Sequence, residues 1–407
     1  MSSQPLSAPE VIAGAAERRR SGLRMVIALG IVSLLADMVY EGARSILGPF
    51  LVTLGASAAT VGLVSGIGEF AGYSVRFFAG YATDRTREYW ALTIGGYALT
   101  VISVPLIGLT NGVTLALALV VGERLGKAIR SPAKDTILSF ATAEMGRGYG
   151  FGLHEALDQT GAVIGPLLLA AILALHEGDY RLAFLSLAIP GVLTLAVLFW
   201  TRRRFPDPHE LEHVQERQGD GAPTRSPSYR RYLAFTSLAV LGFAPFPLIG
   251  YHLVTQNVVA DSTVPLIFAF AMAVDALMAL VAGRIYDRRG LLVLLVVPLA
   301  TVGVLLAFTQ SPLLVWAGAG IWGSVIGLQE STLRAAVGDM IPGHGRGMAY
   351  GVFNGLYGFA LLAGAAAMGA LYGVSVGWLV AFVAAIELLA AVAFLPLVRS
   401  LGARAAS

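Results

Sequence analysis

The sequence predicts an all-α membrane protein of twelve transmembrane helices, arranged as two pseudo-symmetric six-helix bundles. Three observations carry this expectation. The first is composition. Of 407 residues, 56% are hydrophobic and only 13% charged, with a mean hydropathy of +0.73. Soluble domains carry roughly 25% charged residues, so this chain has too little polar surface to face water on all sides. The second is a series of twelve apolar runs, each near the length of about 20 residues that a spanning helix needs. The third is that two short landmarks occur in the same order in the first six runs and in the last six.

The runs fall near 23–52, 57–82, 90–110, 113–130, 148–174 and 180–201, and again near 232–258, 262–286, 291–309, 312–334, 347–372 and 375–398. The resulting domains are a tail over 1–22, a bundle over 23–201, a polar linker over 202–230, a second bundle over 231–398 and a short tail over 399–407. The arginine-rich start resembles a signal peptide, but no small-residue cleavage site follows it, so the first run reads as a retained helix. Basic residues set the orientation. Arg18–Arg20, Arg85, Arg87, Lys134, Arg147, Arg202–Arg204, Arg284, Arg288, Arg289 and Arg399 gather on one face, and the short loops of the other carry only Arg181. Both termini are therefore expected in the cytoplasm, with the chain a multi-pass protein of the bacterial inner (plasma) membrane.

The first landmark is Ala79-Gly80-Tyr81-Ala82-Thr83-Asp84-Arg85, echoed by Ala282-Gly283-Arg284-Ile285-Tyr286-Asp287-Arg288. The second is Gly146-Arg147-Gly148-Tyr149-Gly150-Phe151-Gly152, echoed by Gly345-Arg346-Gly347-Met348-Ala349-Tyr350-Gly351. Two echoes in register indicate a duplicated unit. Parallel repeats of this kind occur in carriers whose substrate site lies near the midplane between the halves.

Charged residues inside apolar runs are costly and mark function by default. In the first run Asp37, Glu41 and Arg44 share one helical face. Low dielectric penalises a charged carboxylate, which makes Asp37 and Glu41 candidate proton carriers. The competing reading is a structural Glu41–Arg44 pair, with Asp37 bonded to a neighbouring helix. The second run carries Glu69, Tyr73 and Arg76 on one face; Glu69, near mid-membrane, is a further candidate for proton coupling, and Arg76 reads equally as a snorkelling side chain or a salt-bridge partner. The stretch Gly122–Pro166 is the most highly charged. Glu123, Lys127, Arg130 and Lys134 form one stripe of the fourth run, and Arg124 faces elsewhere, towards the interior. The fifth run adds His154, Glu155 and Asp158. Glu155 and Asp158 read as proton-transfer groups or as partners of Arg124 or Lys127. Asp158 shares a face with Gly161 and Gly165, a small-residue surface suited to close helix packing, and Pro166 is expected to kink the helix.

The C-terminal half is poorer in charge. Asp275 lies within the eighth run, Gln329, Glu330 and Arg334 lie near one end of the tenth, and Glu387 in the twelfth reads as a packing or lipid-facing residue. Tyr251, His252 and Gln256 in the seventh run, with Tyr350, Asn354 and Tyr357 in the eleventh, suggest an aromatic and amide wall. Together with Tyr73 and Asp275, these are the expected substrate contacts; the bland alternative for the aromatics is packing.

Over essentially its whole length the chain resembles the major facilitator superfamily of secondary transporters, in a largely uncharacterised prokaryotic branch. Gly80, Asp84 and Arg85 resemble the family's signature between the second and third helices, with Gly283, Asp287 and Arg288 as its second copy. Arg87 stands where the family's glycine usually follows; the second copy has it, as Gly290. Gly152, Gly161, Gly165 and Pro166 are similar to the motif of the family's antiporters, although Leu169 and Ala170 replace its closing glycines. The resemblance implies that Asp84 contacts a basic residue near the end of the fourth helix, with Arg130 the best match, as a gate.

The expected function is a proton-coupled efflux antiporter for a small drug-like or amphiphilic solute, working by alternating access. An uptake symporter or uniporter, and a non-transporting sensor or assembly partner on the same scaffold, are the alternatives. No cofactor is expected, the proton gradient being the energy source, and the partners would be solute, protons and membrane lipids, with the chain acting as a monomer. The absence of cysteine excludes disulfides and thiolate chemistry. The scattered histidines have no metal-ligand spacing, no phosphate-binding loop points to ATP hydrolysis, and the basic clusters follow the membrane face rather than forming a nucleic-acid surface.

Overall fold

A computed structural model describes residues 8–142, 147–207, 227–340 and 346–405. Within them the N-terminal half is built from α1 (Ala8–Thr53), α2 (Ala58–Thr86), α3 (Tyr89–Ile107), α4 (Val113–Ala141), α5 (Arg147–Leu175) and α6 (Tyr180–Arg204). The C-terminal half comprises α7 (Pro227–Thr255), α8 (Thr263–Arg289), α9 (Gly290–Phe308), α10 (Pro312–Met340), α11 (Arg346–Val374) and α12 (Val376–Ala405). Ten of these helices are long and apolar enough to cross a membrane. The other two, α2 and α4, have the length, but their charged residues depress their hydropathy. This is a multi-pass membrane protein, because only helices and closed barrels satisfy their backbone inside lipid.

The described boundaries refine the expected ones. α4 continues past residue 130 to Ala141, α1 already begins at Ala8, and the linker is shortened at both ends because α6 runs to Arg204 and α7 starts at Pro227. The face from which the linker leaves is called the linker face below, and the opposite one the distal face.

Local sequence explains the irregular helices. Pro190 has no amide hydrogen to return to Ser186, and α6 is interrupted there, between Tyr180–Ser186 and Ala188–Arg204. α7 breaks between Leu241 and Phe246, beside Pro245 and Pro247. The carbonyl of Ala244, freed by that break, accepts a hydrogen bond from Trp322 Nε1 at 2.9 Å. The Glu387 carboxylate fills the space that a side chain at position 242 would need. Glu387 is 1% exposed, so the lipid-facing reading of this residue fails. At the end of α2, Arg87 takes a left-handed backbone (φ 57°) as its amide returns to the Thr83 carbonyl at 3.0 Å. Its counterpart Gly290 has φ 56°. Both copies of the landmark turn on a residue in a region that only glycine enters without cost.

Across the two halves α2 packs on α11 and α5 on α8, the two pairings expected to exchange under the pseudo-symmetry. Near the distal face the halves touch backbone to backbone: a methyl group built on Gly48 would collide with the Pro247 carbonyl, on Gly62 with that of Ala365, and on Gly369 with that of Ala58. Further along, Tyr73 meets Gly358. Towards the linker face the seam ends, and methyl groups built on Gly152, Gly283 or Gly355 would meet nothing within 4 Å. The structure is closed at the distal face and parted at the linker face.

Candidate functional site

α1 and α4 run antiparallel, and α1 turns Ser33, Asp37, Tyr40, Glu41 and Arg44 towards the α4 stripe read in reverse. Lys134 Nζ donates to Ser33 Oγ at 3.3 Å, and Ser33 Oγ also meets His154 Nε2 at 2.9 Å. One step further, Arg130 Nη2 lies 4.0 Å from Asp37 Oδ1. The same guanidinium donates to Thr100 Oγ1 at 3.1 Å and covers the Tyr97 ring at 4.2 Å. Next, Lys127 Nζ sits 3.5 Å from the centre of the Tyr40 ring, which Arg124 shares at 4.6 Å. Arg124 pairs with Glu69 Oε1 on α2 at 3.1 Å and with Glu123 Oε2 at 3.5 Å. Arg44 ends the series, 3.4 Å from Glu41 Oε2. Its guanidinium also reaches the C-terminal half, 5.6 Å from the Trp322 ring centre and 5.9 Å from that of Phe268.

These charges are deep. Asp37, Glu41, Glu123, Arg124 and Arg130 are each between 4% and 7% exposed, where an unpaired ion costs several kcal/mol, on the order of the penalty for desolvating one. Compensation is therefore obligatory, but it is uneven. Glu69 is held at 3.1 Å by an arginine that serves it directly. Asp37 has only a 4.0 Å approach from an arginine already committed to Thr100 and Tyr97. It is the loosest of the paired acids.

α5 adds a second carboxylate to that acid. Side chains at Gly161 and Gly165 would run into the carbonyls of Leu34 and Met38, so α5 lies against α1 backbone to backbone. Two of the expected antiporter-motif glycines are thus packing residues, whereas Gly152 has open space. The close approach brings Asp158 into the field of Asp37, with Lys127 and Arg130 acting on both. Two carboxylates in one another's field make it costly for both to be charged at once.

The parted side of the seam has its own acids. Glu155 on α5 and Glu330 on α10 are exposed and lie within each other's field. Glu330 also acts on Glu41, Arg44 and Asp275. Asp275 is 3% exposed, and its Oδ1 has no hydrogen-bond partner. Tyr73 and Tyr357 meet across the halves with ring centres 4.8 Å apart, and Tyr357 donates to Gln329 Oε1 at 3.0 Å. Arg76 lies 5.4 Å from the centre of the Tyr73 ring.

Several expectations need correcting. Arg124 serves Glu69 and Glu123, not Glu155 or Asp158. Arg130 is engaged with α1 and α3 at Asp37, Tyr97 and Thr100; the side chains of Asp84 and Asp287, its expected gate partner and that partner's counterpart, lie outside the described residues. A methyl group built on Gly80 would lie 3.9 Å from Pro132, Arg85 donates to Tyr81 at 3.0 Å, and Arg288 is exposed. The supposed wall is divided. Tyr357 faces the seam, but His252 bonds Tyr372 at 2.8 Å, Tyr251 packs on the same ring, and Gln256 lies at the distal surface with Gln310. Those three close the distal end of the C-terminal half because the break in α7 carries them above the acids. Tyr350 lies beside Tyr229 towards the linker face, and Asn354 is half-buried one turn from Tyr350. Tyr40, Tyr97, Thr100 and Trp322 were missed as cation partners. The signal available was Tyr40, which lies on the acidic face of α1 between Asp37 and Arg44.

Comparison with known proteins places this arrangement. The family model described as Major Facilitator Superfamily matches residues 29–332. The chain belongs to the Major Facilitator Superfamily. It is similar to an uncharacterized protein of Mycobacterium tuberculosis, 46% identical over 384 residues, covering 93% of this chain and 94% of the relative. It is also similar to an uncharacterized MFS-type transporter of Methanocaldococcus jannaschii, 30% identical over 192 residues, covering 47% of this chain and 48% of that one. Among solved structures, a mutant of the nucleoside transporter NupG superposes with a TM-score of 0.74 at 14% identity, over 92% of this chain and 99% of that one. A bacterial homolog to the human lysosomal transporter Spinster, in an inward-facing and unoccupied conformation, gives 0.68 at 15% identity, over 93% and 98%. At these identities the solved structures establish the superfamily fold alone. This superfamily protein is a transporter by family and not an enzyme.

Proposed function

We propose that this superfamily member is a proton-coupled secondary transporter that exports a small organic solute by antiport. The observation that carries the reading is Asp37, a carboxylate 7% exposed in the N-terminal half that has only a 4.0 Å approach from an arginine also engaged with Thr100 and Tyr97, and that lies in the field of Asp158. In this reading a solute enters from the parted linker face and reaches the gap bounded by Glu155, Glu330, Tyr73 and Tyr357. Its arrival reorders the charges around Arg44 and Glu41, and the change passes along the α1–α4 series to Asp37. Loss of a proton there accompanies solute binding. Uptake of a proton from the distal side, once the halves have rocked, resets the pair. The gradient supplies the energy, and no cofactor is needed.

The concentration of basic residues on the linker face supports cytoplasmic termini in a bacterial inner membrane. The N-terminal half has two buried apolar clusters and the C-terminal half a third, which Ala58 and Ala162 join; both halves pack within one chain, which supports a monomeric unit. The test is transport in proteoliposomes with an imposed pH gradient, using a solute found by thermal-shift screening. A proton flux that runs opposite to the solute supports antiport. Solute movement indifferent to the gradient in both directions removes proton coupling, and co-directional flux would select the symport alternative.

A further inference from the structure

We infer that Tyr180 and Asp261 form a latch that holds the distal face shut. The hydroxyl of Tyr180, at the start of α6, donates to Asp261 Oδ2 in the α7–α8 connection at 2.9 Å, so the bond joins the two halves at their distal rim. The tyrosine end is fixed. Gly178, in the turn before α6, has φ 81°, and a methyl group built there would sit 3.6 Å from Asp261 Oδ2. Asp179 accepts the Leu182 amide at 2.9 Å and pins the first turn of α6. The Tyr180 ring is 6% exposed and packs on Phe50.

The surroundings explain why one bond matters. Elsewhere in the distal seam the named contacts are between glycines and carbonyls, Gly48 with Pro247, Gly62 with Ala365 and Gly369 with Ala58. Such surfaces are close but undirected, and they can separate without leaving a polar group stranded. A hydrogen bond to a carboxylate is directional and stronger than a neutral one. Placed at the rim, it acts at the greatest distance from the midplane about which the halves rock. Tyr180 also lines a distal cavity of about 450 Å³ with Asn111 and Arg181, so water stands ready to replace the bond when it opens.

The inference rests on alternation between two states, but not on the coupling ion or the direction of transport. Because the chain has no cysteine, single reporters can be introduced cleanly. Ser65, 6% exposed between Gly62 and Gly66, reports opening of the distal face when replaced as Ser65→Cys. Gly355, with nothing within 4 Å, reports the linker face as Gly355→Cys. The measurement is the rate of maleimide labelling of each reporter in nanodiscs, with Tyr180→Phe and separately Asp261→Ala. Loss of the bond should speed labelling at position 65 about tenfold and slow it at position 355. Unchanged labelling at position 65 in both variants would overturn the latch. Asp261→Ala guards against a folding defect peculiar to the tyrosine variant. Labelling needs neither solute nor gradient, so a failed latch is distinguishable from a failed transport assignment.

Discussion

Asp37→Asn is the substitution on which the proton-coupling reading depends most directly. Nearly isosteric, it removes the charge and leaves the space filled. At 4.0 Å an ion pair has a Coulomb energy of about 4 kcal/mol at an effective dielectric of 20. Part of that is already offset by desolvation of both ions. Arg130 keeps the Thr100 hydroxyl at 3.1 Å and the Tyr97 face at 4.2 Å, so the cation is not stranded. The net loss of stability should be about 2 kcal/mol, below the roughly 3–5 kcal/mol typical when a buried charge is left without any partner. Two assays separate the consequences. Thermal unfolding in detergent should show a fall of a few degrees. In proteoliposomes, solute exchange between equal pH compartments should persist while accumulation driven by a pH gradient disappears. Gradient-driven accumulation at the native rate in a folded Asp37→Asn protein would refute the role given to this acid.

Three further outcomes are expected. Gly161→Leu should cost several kcal/mol, about the range for overpacking a tight contact, and prevent recovery of folded protein, because its side chain meets the Leu34 carbonyl; Gly152→Ala, with open space, should be neutral in the same expression and melting assays. Arg124→Gln should destabilise by about 3 kcal/mol, since it strips both Glu69 and Glu123 of their cation; adding Glu69→Gln should recover part of the melting temperature, and no recovery would mean that the pair is not coupled. Arg87→Gly should raise stability by about 0.5–1 kcal/mol by relieving a left-handed arginine, provided that the strain exceeds the added freedom of the unfolded chain.

The helices, their number and the internal duplication were legible because each depends on local composition and on repeats that any window detects. The length of α4 was not, since Lys127, Arg130 and Lys134 read as an exit from the membrane when they turn towards α1 and α3. The acids of the site were visible by their depth in apolar runs, and Glu41 with Arg44 by helical spacing. The pairing between helices was hidden. Nothing in either segment fixes the register that sets Arg130 against Asp37, because that register follows from where the glycines of α5 allow α1 to settle. The aromatic residues of α7 were misplaced for a related reason: an uninterrupted helix would have aimed Tyr251 and His252 differently from one broken before Phe246. Of the aromatic faces for cations, Tyr40 shares the helical spacing of Asp37 and Arg44, whereas Tyr97 and Trp322 lie on apolar runs with no charge beside them.

The contact between Gly242 and Glu387 limits how the sequence can drift. A carboxylate on α12 occupies the volume of any side chain at position 242, so a larger residue there is tolerated only after position 387 has shortened. A shorter residue at 387 would in turn leave a void beside the interrupted backbone of α7. The two positions are 145 apart in the chain, yet relatives should change them together or keep both. A relative that carries a bulky residue at the first and glutamate at the second must have closed the break in α7 or moved α12 outwards.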